Sequence, residues 1–157
     1  MHSETCFREK VYATHVVLEA VRKSDVKVMA FMSSSTVYGD AKLILMPEDY
    51  PPELISVYGS SKLASESLIM AYAHTYGFRA VIYRLANIVG PRSKHGVIYD
   101  FLQKLQRNPS ELEILGDGTQ RKSYLSARFR LIGYYKSDLK DSSVLSGVAS
   151  YRKLIDP

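Results

Sequence analysis

Two rhythms of apolar and polar positions alternate along this chain. Residues 7 to 24, FREKVYATHVVLEAVRKS, place Phe7, Val11, Thr14, Leu18 and Val21 near helical spacing with charge on the other side, which predicts an amphipathic helix. VKVMAFM (26 to 32) is a short apolar run containing β-branched residues and ending in small polar ones, the pattern of a buried strand. A proline-rich loop, MPEDYPPEL (46 to 54), precedes a second helical segment over 57 to 76, closed by Gly77. FRAVIYRL (78 to 85) predicts another buried strand, ended by NIVGP, and VIYDFLQKLQR (97 to 107) a third amphipathic helix, broken by Asn108 and Pro109. ELEIL (111 to 115) predicts a short strand before the turn GDGTQ.

Helix, strand, helix, strand, helix, strand is the order of an α/β fold with a parallel sheet. Such sheets hold ligands at the carboxyl ends of their strands. Here those ends carry SSST after the first strand and NIVGP after the second, so chemistry is expected there. The last segment, 126 to 157, has weak periodicity and six basic against three acidic residues, and no structure is assigned to it.

Composition narrows the partners. A chain of 157 residues, 46% hydrophobic and 24% charged, is long enough for one globular domain with its own core. No run has the length of a membrane span, and MHSETCFREK lacks the apolar centre of a signal peptide. Cys6 is the sole cysteine, which excludes an internal disulfide and fits a reduced, cytoplasmic compartment. The net charge of +5 is spread along the chain without interleaved stacking aromatics, so no nucleic acid is expected. His15 and His74 fall on helices, His95 in the loop after GPRSK, and no cluster has metal-ligand spacing; no metal is expected.

The segment SVYGSSKLASESL (56 to 68) carries the candidate chemistry. Tyr58 and Lys62 are four residues apart at the start of a helix and so share a face. A phenol titrates near 10, and bringing one to about 7 takes about 4 kcal/mol of differential stabilisation. A neighbouring ammonium supplies part of that. A cationic cofactor ring and a hydroxyl donor could supply the rest, and Ser34 at the end of the preceding strand is such a donor.

MSSSTVYGD, SVYGSSKLASE and YRLANIVGPR, in this order and spacing, resemble successive blocks of the extended short-chain dehydrogenase/reductases, the NAD-dependent epimerase/dehydratase family, and most nearly its UDP-glucose 4-epimerase type. The resemblance runs from Phe7 to Leu125. It implies a Rossmann-type, doubly wound parallel sheet, incomplete at both ends, with residues 1–125 as the later part of the NAD-binding domain plus the start of the substrate region, and 126–157 as a divergent tail. It implies Tyr58 as base, Lys62 as the cation that lowers its pKa and binds the nicotinamide ribose, and Ser34 as the hydroxyl that helps move the substrate proton. Ser33 and Ala86 would line the cofactor. Asn87, Val97, Ile98, Leu115, Arg121 and Lys122 would contact a UDP-sugar, with Lys122 standing where the family usually has an arginine. In such a reaction Tyr58 would take the proton of the sugar 4-hydroxyl as hydride leaves for NAD, and the 4-keto sugar would turn over before reduction on its other face. Dehydratases and decarboxylases of the family carry carboxylates where this chain has Ser35 and Thr36, which favours epimerisation.

Two departures matter. The glycine-rich Gly-x-x-Gly-x-x-Gly turn that holds the pyrophosphate occurs nowhere in the sequence, and Lys10 replaces the family's usual asparagine. After KSYL the family pattern stops, as a frameshift, a truncated reading frame or a drifted pseudogene product would each leave it. The isolated chain is therefore expected to be inactive as a fragment, with apolar sheet surface exposed. An alternative is a non-catalytic interaction module, since helices 7–24 and 57–76 match those that pair across a two-fold in the family's homodimers.

Overall fold

In the computed structural model the described residues are 3–40, 50–118, 124–127 and 150–155, the last six as backbone alone. In chain order the elements are α1 (Ser3–Cys6), a π-helical stretch (Phe7–Tyr12), α2 (Ala13–Arg22), β1 (Val28–Ser34), a 3-10 turn (Ser35–Tyr38), α3 (Val57–Tyr76), β2 (Arg79–Leu85), β3 (Asn87–Val89), α4 (Val97–Arg107), β4 (Tyr124–Ser126) and β5 (Ser150–Ile155). They fall into two units: Met1–Ala86 with Ala149–Pro157, and Asn87–Val148.

The first unit holds a three-stranded sheet in the order β1-β2-β5. β1 and β2 are parallel, with Met29 opposite Ala80, Phe31 opposite Ile82 and Ser33 opposite Arg84. Paired residues of a parallel ladder share a face. The face bearing these pairs is covered by α2 and α3, and its core is Leu18, Ile69, Ala73, Phe78, Ala80 and Ile82, flanked by Met29 and Phe31. Each of the large members, Leu18, Ile69, Phe78 and Ile82, contributes about 1.5–3 kcal/mol by its burial. On the opposite face of β1, Val28, Ala30 and Met32 are exposed, Val28 to 56%. This is part of a Rossmann-type α/β sheet, with one of its two faces layered by helices among the described residues.

Local chemistry sets the helix ends. Ser56 caps α3 by accepting the Gly59 N–H at 3.0 Å, and Gly77, at φ +71°, ends it with its own N–H on the Ala73 carbonyl at 3.0 Å. The first helix begins earlier than residue 7 and is widened by the π stretch, where the Lys10 carbonyl accepts the Thr14 hydroxyl at 2.6 Å and the Ser65 hydroxyl of α3 at 3.1 Å. That shared carbonyl pins the first helix to α3.

Three expectations change. The first strand runs to Ser34 rather than Met32, because Ser33 and Ser34 continue the ladder opposite Arg84 and Leu85. Residues 111–115 form no strand; the Lys104 ammonium donates to the Glu113 carbonyl at 3.1 Å and Leu115 is 79% exposed. The segment after 126 does contribute an element, since β5 pairs antiparallel with β2 from Ala80–Ile155 to Leu85–Ser150. In the second unit β3 and β4 pair in parallel, and α4 has no buried residue.

Candidate active site

The carboxyl end of β1, the 3-10 turn after it and the first turn of α3 meet in the first unit. Gly59 permits the approach: a Cβ there would stand 2.6 Å from the Thr36 carbonyl oxygen and 3.2 Å from the Ser56 hydroxyl. Gly39 closes the turn at φ +62°, where a Cβ would fall 2.2 Å from the Glu53 carbonyl oxygen.

Tyr58 and Lys62, both half-buried, occupy successive turns on one face of α3. The Lys62 ammonium donates to the Met32 carbonyl at 2.7 Å and lies 4.9 Å from the centre of the Phe31 ring. Burial pushes its pKa below the usual lysine range; the charge of Lys10 adds to this, and Glu66 opposes it. Ser34 caps the 3-10 turn, and its hydroxyl oxygen accepts the Thr36 N–H at 3.3 Å and the Thr36 hydroxyl at 3.0 Å. Both bonds use lone pairs and leave the Ser34 proton to be donated. The structure thus sets α3, which carries Tyr58 and Lys62, against the strand end that carries Ser34; a phenol, a partly desolvated ammonium and an orientated hydroxyl are the kinds of group that proton transfer at an alcohol requires. The Ser33 hydroxyl is turned inward and donates to Glu66, so contact with a cofactor would fall to its backbone. Ala86 directly follows β2 and is half-buried.

The remaining candidates belong to the second unit. Asn87 begins β3 and is exposed; Val97 and Ile98 open α4, also exposed; Leu115 lies at the start of a bend and is exposed. Arg121 and Lys122 lie outside the described residues. Lys104 of α4 reaches Asp100 at 3.4 Å and Glu113 at 3.5 Å. Among the described residues no group of three His, Cys, Asp or Glu could hold a metal ion, and no helix is long and apolar enough to cross a membrane.

One constellation goes beyond the expected residues. Beneath the strand ends Glu66, 1% exposed, takes a bidentate bond from Arg84, 7% exposed, at 3.1 and 2.7 Å. Ser33 completes Glu66, and Arg84 donates onward to the Tyr38 hydroxyl at 3.0 Å while stacking over its ring at 4.9 Å. Burial works against the guanidinium charge, but the hydrogen bonds to Glu66 and Tyr38 outweigh it and hold the Arg84 pKa above its ordinary value. The signal was present in the sequence as an arginine inside FRAVIYRL, a strand expected to be buried, where a charge needs a partner such as the glutamate of SKLASE.

With that geometry established, comparison with known proteins defines the class. The sequence pattern of the NAD dependent epimerase/dehydratase family matches residues 2–128, and the chain belongs to that family. It is 35% identical over 120 residues to a candidate UDP-glucose 4-epimerase of Methanocaldococcus jannaschii, covering 73% of this chain and 39% of the relative. It is 35% identical over 118 residues to the dTDP-D-glucose 4,6-dehydratase of Mus musculus, covering 74% of this chain and 33% of the relative. A crystal structure of UDP-galactose 4-epimerase superposes with a TM-score of 0.77 at 46% identity, over 90% of this chain and 48% of that one. The chain therefore spans between a third and a half of the length of these relatives. The family is NAD dependent and acts in nucleotide-sugar epimerisation and dehydration.

Proposed function

We propose that this chain carries the catalytic end of a NAD-dependent nucleotide-sugar 4-epimerase of the UDP-glucose/UDP-galactose type, an isomerase of galactose metabolism in the cytoplasm. The observation that carries the reading is the seating of the first turn of α3, which bears Tyr58, on the turn capped by Ser34, where Gly59 lets α3 close on the Thr36 carbonyl and Lys62 reaches the Met32 carbonyl. The donor set fits the nicotinamide ribose end of the cofactor, with Lys62 and Tyr58 holding the ribose and the strand end at Ser33 and Ala86 lining it. No Gly-x-x-Gly-x-x-Gly turn is present to cradle the pyrophosphate.

When bound, NAD supplies a reversible hydride acceptor for the sugar carbon bearing the 4-hydroxyl. Tyr58 removes the hydroxyl proton, Lys62 holds the ribose beside it, and Ser34 holds the same oxygen by donating its proton. Asn87, Val97, Ile98, Leu115, Arg121 and Lys122 bind the nucleotide-sugar; an ammonium at Lys122 meets a diphosphate as a point charge, and the adjacent Arg121 offers the bidentate fork. Ser35 and Thr36 cannot serve as the carboxylic acid or base of a dehydratase, which supports epimerase over dehydratase despite the similarity to both.

Calorimetric titration of NAD into the purified chain tests the reading, beside Tyr58→Phe and Lys62→Ala. Micromolar binding that weakens at least tenfold in Lys62→Ala is expected; absence of binding at millimolar NAD by a folded sample overturns it. Without a pyrophosphate turn the chain alone is expected to show no turnover of UDP-glucose. A second reading, a dimerisation module, is favoured by Phe7, Tyr12, Val16 and Val17 of the first helix and Tyr76 of α3, all large and exposed. Sedimentation equilibrium showing a dimer that Val16→Lys dissociates, with no NAD binding, would select it.

A further inference from the structure

The geometry points to a further role for the buried layer of Ser33, Glu66, Arg84 and Tyr38: it is a positioning clamp that fixes the ends of β1, β2, the 3-10 turn and α3 against one another so that Ser34, Tyr58 and Lys62 converge. The inference rests on the reading of those three residues given above.

The residues that face α3 from the sheet come in steps. Met29 with Ala80 and Phe31 with Ile82 are apolar, while Ser33 with Arg84 is polar and lies at the carboxyl end. Apolar steps hold a helix against a sheet but tolerate small slips, because dispersion contacts are undirected. The polar step does not. A guanidinium–carboxylate fork is planar and directional, and here it is bidentate, with Arg84 Nε donating to Glu66 Oε1 at 3.1 Å and Nη2 to Oε2 at 2.7 Å.

Each arm of the clamp ends one step from a site residue. Glu66 follows Lys62 by one helical turn, Ser33 precedes Ser34, Arg84 is two residues before Ala86, and Tyr38 closes the turn that Ser34 caps. No buried side-chain nitrogen or oxygen among the described residues lacks a partner, so the layer is fully satisfied. Buried ion pairs add little stability relative to well-packed apolar side chains of similar volume. Alignment of the strand ends and α3, rather than stability, is what this one supplies.

The test separates those two effects. In the variant Ser33→Ala/Tyr38→Phe/Glu66→Leu/Arg84→Met the four polar members are replaced at once, so that neither charge of the Glu66–Arg84 pair is left facing a vacated partner. Its melting midpoint, NAD affinity by calorimetry and amide exchange at Thr36, Gly39, Glu53 and Gly59 are compared with the unaltered chain and with Lys62→Ala. Those amides bond to Ser34, Thr36, Val37 and Ser56 across the clamped turn. The expected result is a midpoint within a few degrees of the unaltered chain, at least tenfold faster exchange at those amides and at least fivefold weaker NAD binding. Unchanged exchange in the folded variant overturns the clamp, and so does unchanged affinity where the unaltered chain binds NAD.

If that variant does not fold, Arg84→Lys keeps the charge and loses the fork. It is expected to raise exchange at least threefold at the same amides, and no change there overturns the proposal. Failure of the unaltered chain to bind NAD, or equal binding by Lys62→Ala, overturns the reading of the site instead, and the exchange data then decide the clamp by themselves.

Discussion

The two units handle charge in opposite ways. In the first, Glu66 and Arg84 are sealed beneath the strand ends, bonded to each other and to Ser33 and Tyr38. In the second, Lys104 spans Asp100 and Glu113 at the surface, at 3.4 and 3.5 Å, and no residue of α4 is buried. A buried pair is directional and intolerant of losing one partner, whereas an exposed pair is screened and nearly dispensable. The same contrast separates the apolar side chains: Leu18, Ile69 and Ile82 are sealed, while Leu102 and Leu105 of α4 are open. Precision is therefore built into the half that would do chemistry, and the half that would meet the sugar nucleotide offers apolar surface still to be covered.

The largest effect should come from breaking the buried pair on one side only. Glu66→Ala removes the carboxylate that the buried Arg84 grips and is expected to cost about 3–5 kcal/mol, against about 0–1 kcal/mol for Glu113→Ala; urea unfolding followed by circular dichroism compares them. Ile69→Ala should cost about 2–5 kcal/mol through the cavity it leaves. Leu102→Ala in α4 should stay within about 0.5 kcal/mol, and a cost as large as that of Ile69→Ala would mean α4 is packed in solution.

Gly59→Ala sharpens the contrast at the site itself. A methyl group 2.6 Å from the Thr36 oxygen must push α3 off the turn. That should cost about 1–3 kcal/mol despite the better helix propensity of alanine, and should weaken NAD binding.

The smallest effect lies at the exposed Glu19 carboxylate, held down at about 2 by hydrogen bonds from Arg22 and then from Tyr72. Its folded pKa lies below its unfolded value. Its stabilising contribution is therefore present above the ordinary carboxylate range and is lost as pH falls toward about 2. Carbon-13 titration of the Glu19 carboxyl should show this midpoint, and Arg22→Gln should raise it more than Tyr72→Phe does.

Much of this was legible in the residues because punctuation was local. Gly77 and the Asn108–Pro109 pair mark the ends of α3 and α4 where the structure ends them. ELEIL at 111–115 alternates like a strand, but a ladder needs a partner, and here a lysine takes the Glu113 carbonyl. β5 was invisible for the converse reason: pairing with β2 is a long-range event that SYRKLI does not announce by itself. At the site, the Tyr58–Lys62 spacing could be read from helix geometry, whereas the Glu66–Arg84 layer depends on the register that sets Ser33 opposite Arg84. Short-range spacing is written in the chain; register is written only in the fold.

The β2–β5 pairing has a kinetic side. β1 finds β2 across one helical crossover, but Ala80 meets Ile155 only after nearly half the chain has intervened. Contacts so distant in sequence form slowly, because loop closure precedes any gain from the new ladder. During synthesis the outer edge of β2 can gain this partner only after residues 150 to 155 have followed it out of the ribosome, so that edge stays open to mispairing with other nascent strands throughout that interval.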